Sequence, residues 1–265
     1  MPRVCAVSYL NTVPLVWGML HGSSPEEGHG VFDLRFALPS ECADQIASGE
    51  ADIGIVPVIE MARQKLEYLP GTGIACHGPV RSILLISKVP IREIKTLATD
   101  SGSRTSVQLA RVILAEKFGL ALNRAPKLIS RVADLASMLG EADAGLLIGD
   151  AALRIDPEKL PFETLDLGAE WVAMTGLPMV FAVWAGREEI VRPEYAAAFT
   201  NSLRFGVAHM DEIVKSESPA RGFGEAMVRK YLTEHIVFEL GDRDYAGMQT
   251  YLDHVKRLER QAVTA

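Results

Sequence analysis

Strand-sized apolar runs and stretches of helical periodicity alternate along the whole chain, and this constrains the fold more than any other feature. Residues 4–7, 52–56 and 82–87 and the segment Ala144–Ile148 are short, almost continuous apolar runs, as in strands buried on both faces. Residues 32–38 alternate apolar and polar side chains, while Thr96–Thr99, Lys127–Ser130 and 179–185 complete the predicted strands. Between them lie helical segments: 40–48, with Ser40 as N-cap and Gly49 as its stop, one opening at Pro57, then Arg104–Phe118, 134–139 and 168–175. Three more follow at 194–209, 224–233 and 242–260. Strands alternating with helices build an α/β fold. The pattern breaks at residues 90–95, and the run 179–185 is too apolar for an edge strand, so it reads as a return to the first sheet. The expected organisation is two lobes with a cleft between them, residues 1–93 plus 180–265 forming a discontinuous first lobe and 94–179 the second.

Composition narrows the function. Apolar residues make up 48% of the 265, enough to offset the entropy of ordering the chain, and no apolar run nears the ~18 residues of a membrane span. With 34 acidic against 27 basic residues the net charge is −7, which argues against a nucleic-acid partner but leaves room for a small anion held by one or two arginines. The three cysteines, Cys5, Cys42 and Cys76, are odd in number and set among apolar neighbours, so they read as buried free thiols of a reducing compartment. The first residues show no apolar signal region, and the expectation is a cytoplasmic, unprocessed protein with no membrane partner.

No phosphate-binding P-loop, dinucleotide fingerprint or nucleophile elbow is present. Histidines 21, 29, 77, 209, 235 and 254 never fall at metal-ligand spacing, so neither a metal nor a nucleotide cofactor is expected. What stands out is a set of polar loops at strand ends, where ligands collect in open α/β sheets. In Ser8-Tyr9-Leu10-Asn11-Thr12, Asn11 either caps the following helix or meets a ligand. Asp100 to Ser106 combines Gly102, hydroxyls that include Ser103, Thr105 and Ser106, and the Arg104 guanidinium at a helix start, which suits either capping or a carboxylate site. In Gly78-Pro79-Val80-Arg81-Ser82, Arg81 is a surface charge or a ligand partner. In Ile148-Gly149-Asp150, Asp150 reads as an N-cap, and Gly149 allows close approach of chain or ligand. His77 reads as a satisfied core histidine, and Trp17, Trp171 and Trp184 as core.

Taken together, five segments resemble the chorismate dehydratases of the futalosine route to menaquinone. They are Val7-Ser8-Tyr9-Leu10-Asn11-Thr12-Val13-Pro14-Leu15, Gly78-Pro79-Val80-Arg81-Ser82-Ile83-Leu84-Leu85, Ser103-Arg104-Thr105-Ser106, Leu147-Ile148-Gly149-Asp150-Ala151-Ala152-Leu153 and Thr175-Gly176-Leu177-Pro178-Met179-Val180-Phe181-Ala182. They recur in that family's order and span nearly the whole chain; Met179 departs from it, standing where the family more often has an aromatic residue. The resemblance implies a two-lobed periplasmic-binding-protein-like fold of type II, used by a cytoplasmic enzyme without a cofactor. It implies that chorismate is the small-molecule substrate and loses water to give 3-[(1-carboxyvinyl)oxy]benzoate. Asn11 and Ser82 would then face the reacting ring as catalytic residues, both from the first lobe. Ser103, Thr105 and Ser106 would clamp a substrate carboxylate, with Arg81 and Arg104 balancing its charge, and Ser8, Gly149 and Asp150 would complete the binding set.

Three other readings compete. The sister enzyme that makes 1,4-dihydroxy-6-naphthoate shares the fold, although its start and Gly-Pro-Val-Arg-Ser segment match less well. A non-catalytic solute-binding protein for a small carboxylate would use the same anion loop. The ligand-sensing domain of a regulator would need a helix-turn-helix, for which no residues remain.

Overall fold

The computed structural model describes residues 1–100, 102 and 104–264. The chain begins β1 (Arg3–Val7), α1 (Val13–His21), β2 (Asp33–Ala37), α2 (Pro39–Ser48), β3 (Ile53–Pro57), α3 (Val58–Gln64) and β4 (Glu67–Cys76). It continues through β5 (Ile83–Ser87), β6 (Thr96–Thr99), α4 (Arg104–Phe118), β7 (Lys127–Ser130), α5 (Leu135–Glu141), β8 (Ala144–Ile148) and α6 (Gly149–Leu153). Then come β9 (Glu163–Asp166), α7 (Leu167–Thr175), β10 (Met179–Gly186), α8 (Pro193–Ala208), α9 (Met210–Arg221), α10 (Glu225–Lys230), β11 (Val237–Glu239) and α11 (Asp242–Thr264). No helix of the described residues is long and apolar enough to cross a membrane.

These elements form two compact units, Met1–Ala75 with Val180–Asp242, and Cys76–Met179 with Arg243–Ala265. The first is built on a six-stranded sheet in the order β11-β4-β10-β3-β1-β2. Its β1 runs parallel to β2 and β3, while β10 is antiparallel to β3. Every residue of β3 is buried, as its unbroken apolar run requires, whereas β2 lies at the sheet edge and is only partly covered. The core continues into an aromatic stack: Phe199 of α8 lies between Trp184 of β10, 4.2 Å away, and Phe32, 4.8 Å away. Such offset ring pairs add about 0.5–1.5 kcal/mol beyond the area they bury.

The second unit carries a five-stranded sheet, β7-β6-β8-β5-β9. Strand β5 is antiparallel to both β8 and β9, and β6 is parallel to β7 and β8. Leu84, Ile86, Ala98, Met138 and Leu147 form a buried cluster against α5. Helix α11 docks through Tyr251, whose ring meets Trp171 edge-on at 6.1 Å and whose hydroxyl donates to the Thr105 carbonyl at 3.0 Å.

The division into units differs from the one drawn from sequence. Residues 76–93, expected in the first lobe, belong to the second unit because β5 pairs within the second sheet. Residues 243–265 do so as well, through α11. Both placements rest on long-range pairing that an apolar run does not encode. Strand β4 was not expected, since Pro70, Gly71 and Gly73 argue locally against a strand, and the short β9 and β11 were also missed. Helix α2 is capped two residues earlier than Ser40 suggested: Leu38 is the N-cap, and its N–H donates to the Glu41 carboxylate at 2.8 Å.

Candidate functional site

The loop after β1 begins with Ser8, whose N–H donates to the Ala37 carbonyl at 3.1 Å and whose carbonyl accepts from Arg221 at 2.9 Å. These bonds hold the start of the loop on both sides of the Ser8 backbone before it enters a single 3₁₀ turn, Leu10–Thr12, and then α1. Neither helical start has a side-chain cap, so the capping role open to Asn11 is not realised. Instead Asn11 is 9% exposed and Thr12 fully buried, and among the described residues neither Asn11 Oδ1 nor Thr12 Oγ1 has a hydrogen-bond partner. A buried oxygen left unpaired costs about 1–3 kcal/mol, so native proteins keep such groups only with a reason. Acceptance of a hydrogen bond from a ligand is one.

The turn ahead of β5 shows the opposite condition. Ser82 is 1% exposed, and its N–H donates back to the Val80 carbonyl at 2.7 Å, closing a three-residue turn with Arg81 at φ +66°. This is the rarer, strained hand of the γ-turn. The Asp166 carboxylate accepts from Val80 N–H at 3.0 Å and Arg81 N–H at 2.6 Å. The Arg81 guanidinium donates to the carbonyls of Ala152, at 3.3 Å, and Ile155. Burial lowers its pKa from the ordinary arginine value, against the pull of Asp156 and Asp166. Its contacts therefore make it an anchor of the turn. The Ser82 carbonyl accepts from Gly149 N–H at 2.8 Å, and Gly149 has φ +57°, which glycine adopts without strain. Residues 81, 82 and 149 are thus joined within the second unit, whereas the division drawn from sequence set Arg81 and Ser82 apart from Gly149. Asp150 lies in the first turn of α6 and is not its N-cap; that position falls to Ile148.

At the start of α4, Thr105 and Ser106 are buried, and the Thr105 carbonyl is held by Tyr251. Arg104 is the first helical residue, partly buried, and Gly102 N–H donates to Asp100 at 2.7 Å. Ser103 lies outside the described residues.

Two neighbours of the Gly78–Ser82 loop bear on its chemistry. Cys76 is fully buried, and burial, then the Asp166 charge, push its thiol up to about 12, so it is a neutral packing group at pH 7. His77 is exposed, contrary to its reading as a core residue, and its Nε2 lies 2.8 Å from the buried carboxylate of Asp244. Trp17, Trp171 and Trp184 are core. Among the described residues no group of three or more His, Cys, Asp or Glu is arranged to hold a metal ion. Sequence reasoning missed Asp166 and Thr12. Asp166 does show a local signal, since an acid just ahead of 168–175 marks a helix start, and it caps α7 through Ala169 N–H at 3.0 Å. Its grip on residues 80 and 81 is long-range and carries no such signal.

Comparison with known proteins agrees from end to end. Residues 2–257 match the family described as menaquinone biosynthesis. A chorismate dehydratase from Thermus thermophilus is 28% identical over 263 residues, covering 92% of each chain. Another from Campylobacter jejuni is 23% identical, covering 95% of this chain and 96% of its own. The CA3427 gene product of Candida albicans, a solved structure described as having the generic periplasmic-binding-protein fold, gives a TM-score of 0.68 at 13% identity. That alignment covers 97% of this chain and 90% of the other, and the two-sheet α/β fold is of that type.

Proposed function

The chain belongs to the menaquinone biosynthesis family, and on that premise we propose that it is a chorismate dehydratase, a carbon–oxygen lyase. The observation that carries this reading is the near full-length likeness to relatives bearing that name. In the reaction the C3–H bond pair becomes the new ring double bond, the C4–O bond breaks, and hydroxide leaves with a proton as water. The ring becomes aromatic, so the step is strongly downhill, and no electrons pass to an acceptor.

The residues divide by what their chemistry allows. Asn11 and Ser82 act on the ring: neither an amide nor a hydroxyl is a base at neutral pH, so both position the substrate and hydrogen-bond the departing oxygen. The unpaired Asn11 Oδ1 supports the positioning part of this role, because it can accept from a substrate hydroxyl, while the donor to the departing oxygen is the Nδ2–H of the same amide. The base is the substrate's own side-chain carboxylate, held against the C3 hydrogen. Ser103, Thr105, Ser106 and the N-terminal amides of α4 bind a substrate carboxylate, with Arg104 balancing its charge. Ser8, Arg81, Gly149 and Asp150 complete the binding set, Arg81 and Gly149 through the backbone they hold.

A cytoplasmic location belongs to the same proposal. It is supported by the cysteine count, three buried residues of odd number set among apolar neighbours.

The test is to supply chorismate and, separately, the cyclic precursor of the sister naphthoate synthase, and to follow product absorbance. An aromatic product from chorismate alone is expected. Turnover of the cyclic precursor instead would assign the sister activity, and a stable complex with unreacted chorismate would make the protein a binder.

A further inference from the structure

We propose that Asp166 is a positioning residue for the dehydration, holding the turn at residues 80–82 in the strained form that fixes the Ser82 hydroxyl. The proposal rests on the role given to Ser82 above. Arg81 sits at φ +66°, a conformation that residues with a Cβ rarely adopt and that persists only where the surroundings over-determine it. Asp166 supplies the two bonds to the turn's own amides, beside the Arg81 guanidinium's bonds to Ala152 and Ile155. One carboxylate oxygen takes Val80 N–H, the other takes Arg81 N–H, and the first also takes Ala169 N–H. The two loop amides therefore point at one rigid fork, and the chain leaves it with Ser82 N–H turned back on Val80.

An independent observation fixes the fork itself. A Cβ at Gly168 would stand 2.6 Å from Cys76 Sγ, 2.8 Å from the Gly78 carbonyl oxygen and 3.0 Å from Val80 Cβ. The first turn of α7 thus lies directly against residues 76–80, with no room to slide. Asp166 is carried on the last residue of β9, which pairs with β5 at Leu84, two residues beyond Ser82. Ser82 is accordingly held from its N-terminal side by Asp166 and from its carbonyl by Gly149.

The informative variant is Asp166→Ser, since serine still caps α7 through Ala169 N–H but cannot reach both loop amides. We expect melting within a few degrees of the parent, kcat lower by about tenfold or more, and KM for chorismate within about threefold. In a Ser82→Ala background the same change should cost little further, because a residue acting through Ser82 has nothing left to position. Asp166→Asn is the second variant: it keeps one acceptor oxygen and turns an amide against Arg81 N–H, and it should show the same split. Parental kcat in Asp166→Ser, or an equal loss with Ser82 already removed, would overturn the proposal. Should Ser82→Ala itself retain parental turnover, the reading of Ser82 fails. A crystal structure of Asp166→Ser then decides the positioning alone: residue 81 leaving the left-handed region supports it, and an unmoved turn refutes it.

Discussion

In the first unit, the loop after β1 buries Asn11 and Thr12 and leaves a side-chain oxygen of each without a partner among the described residues. In the second, the turn ahead of β5 has its backbone amides taken up by Asp166, its guanidinium by two carbonyls and its Ser82 carbonyl by Gly149. The second unit repeats the device elsewhere: Asp143 accepts from Lys95 N–H and Thr96 N–H, both at 2.9 Å, and from the Thr96 hydroxyl at 3.0 Å. One loop is left with capacity for an external partner, and the other is fixed from within. The lesson is that two loops proposed to act on the same substrate are built under different demands. Asn11 is recognisable by what it lacks, and Ser82 by how completely its backbone is held.

The largest expected effects test that contrast directly. Asn11→Ala and Ser82→Ala should each lower kcat by about 100-fold or more, the scale seen when a hydrogen bond to developing negative charge is removed. Their stabilities should part company. Asn11→Ala removes a buried unpaired oxygen and is expected to melt no lower than the parent, and Thr12→Val should behave likewise. Thermal melts beside steady-state kinetics check both. An Asn11→Ala protein that unfolds early while keeping its turnover would mean that the loop after β1 is scaffolding.

The sequence made one half of this contrast legible. Asn11, Ser82, Arg81 and Gly149 all stand at ends of apolar runs, where a polar residue is conspicuous, and the runs themselves became β1, β5 and β8. What it hid was pairing. The run at 82–87 is equally consistent with either sheet, and only its bonds to β8 and β9 place it in the second. Asp166 is 85 residues from Arg81 in sequence. Its helix-capping role is local and readable, whereas its grip on the turn exists only once β9 has paired with β5. Tyr251 was hidden for the same reason, since an amphipathic helix does not announce which unit it covers.

Smaller effects sharpen the comparison through stability alone. Asp143→Ala should cost about 1 kcal/mol, because two backbone amides that now share one carboxylate oxygen must turn to water instead. Gly149→Ala should cost about 1 kcal/mol for forcing a Cβ into φ +57°, with some loss of turnover through the Ser82 carbonyl it supports. Urea unfolding at neutral pH reads both. A Gly149→Ala protein with parental stability and activity would show that the turn tolerates movement, and would weaken the claim that it is fixed from within.

The smallest effect separates the two units by the kind of partner each gives a carboxylate. In the first, Asp52 is held below the ordinary carboxylate range chiefly by the side-chain hydrogen bond from Arg3, 2.7 Å from its oxygen, with burial opposing. In the second, burial pushes Asp143 up but is outweighed by hydrogen bonds from Lys95 N–H and from the Thr96 hydroxyl and N–H. Both carboxylates are thus depressed in the folded state. Each contributes stability that is present above the unfolded carboxylate value and is lost as pH falls through the lower folded one. Salt should tell them apart. Arg3 is a half-exposed charge, and at ~1 M salt the screening length shrinks to about 3 Å, so the difference in melting between the parent and Asp52→Asn should narrow. The amide and hydroxyl partners of Asp143 are neutral, so the Asp143→Asn difference should persist from low to high salt. Equal narrowing in both would mean that the Asp143 contribution comes from the positive charge of Lys88 nearby and not from the amides it accepts.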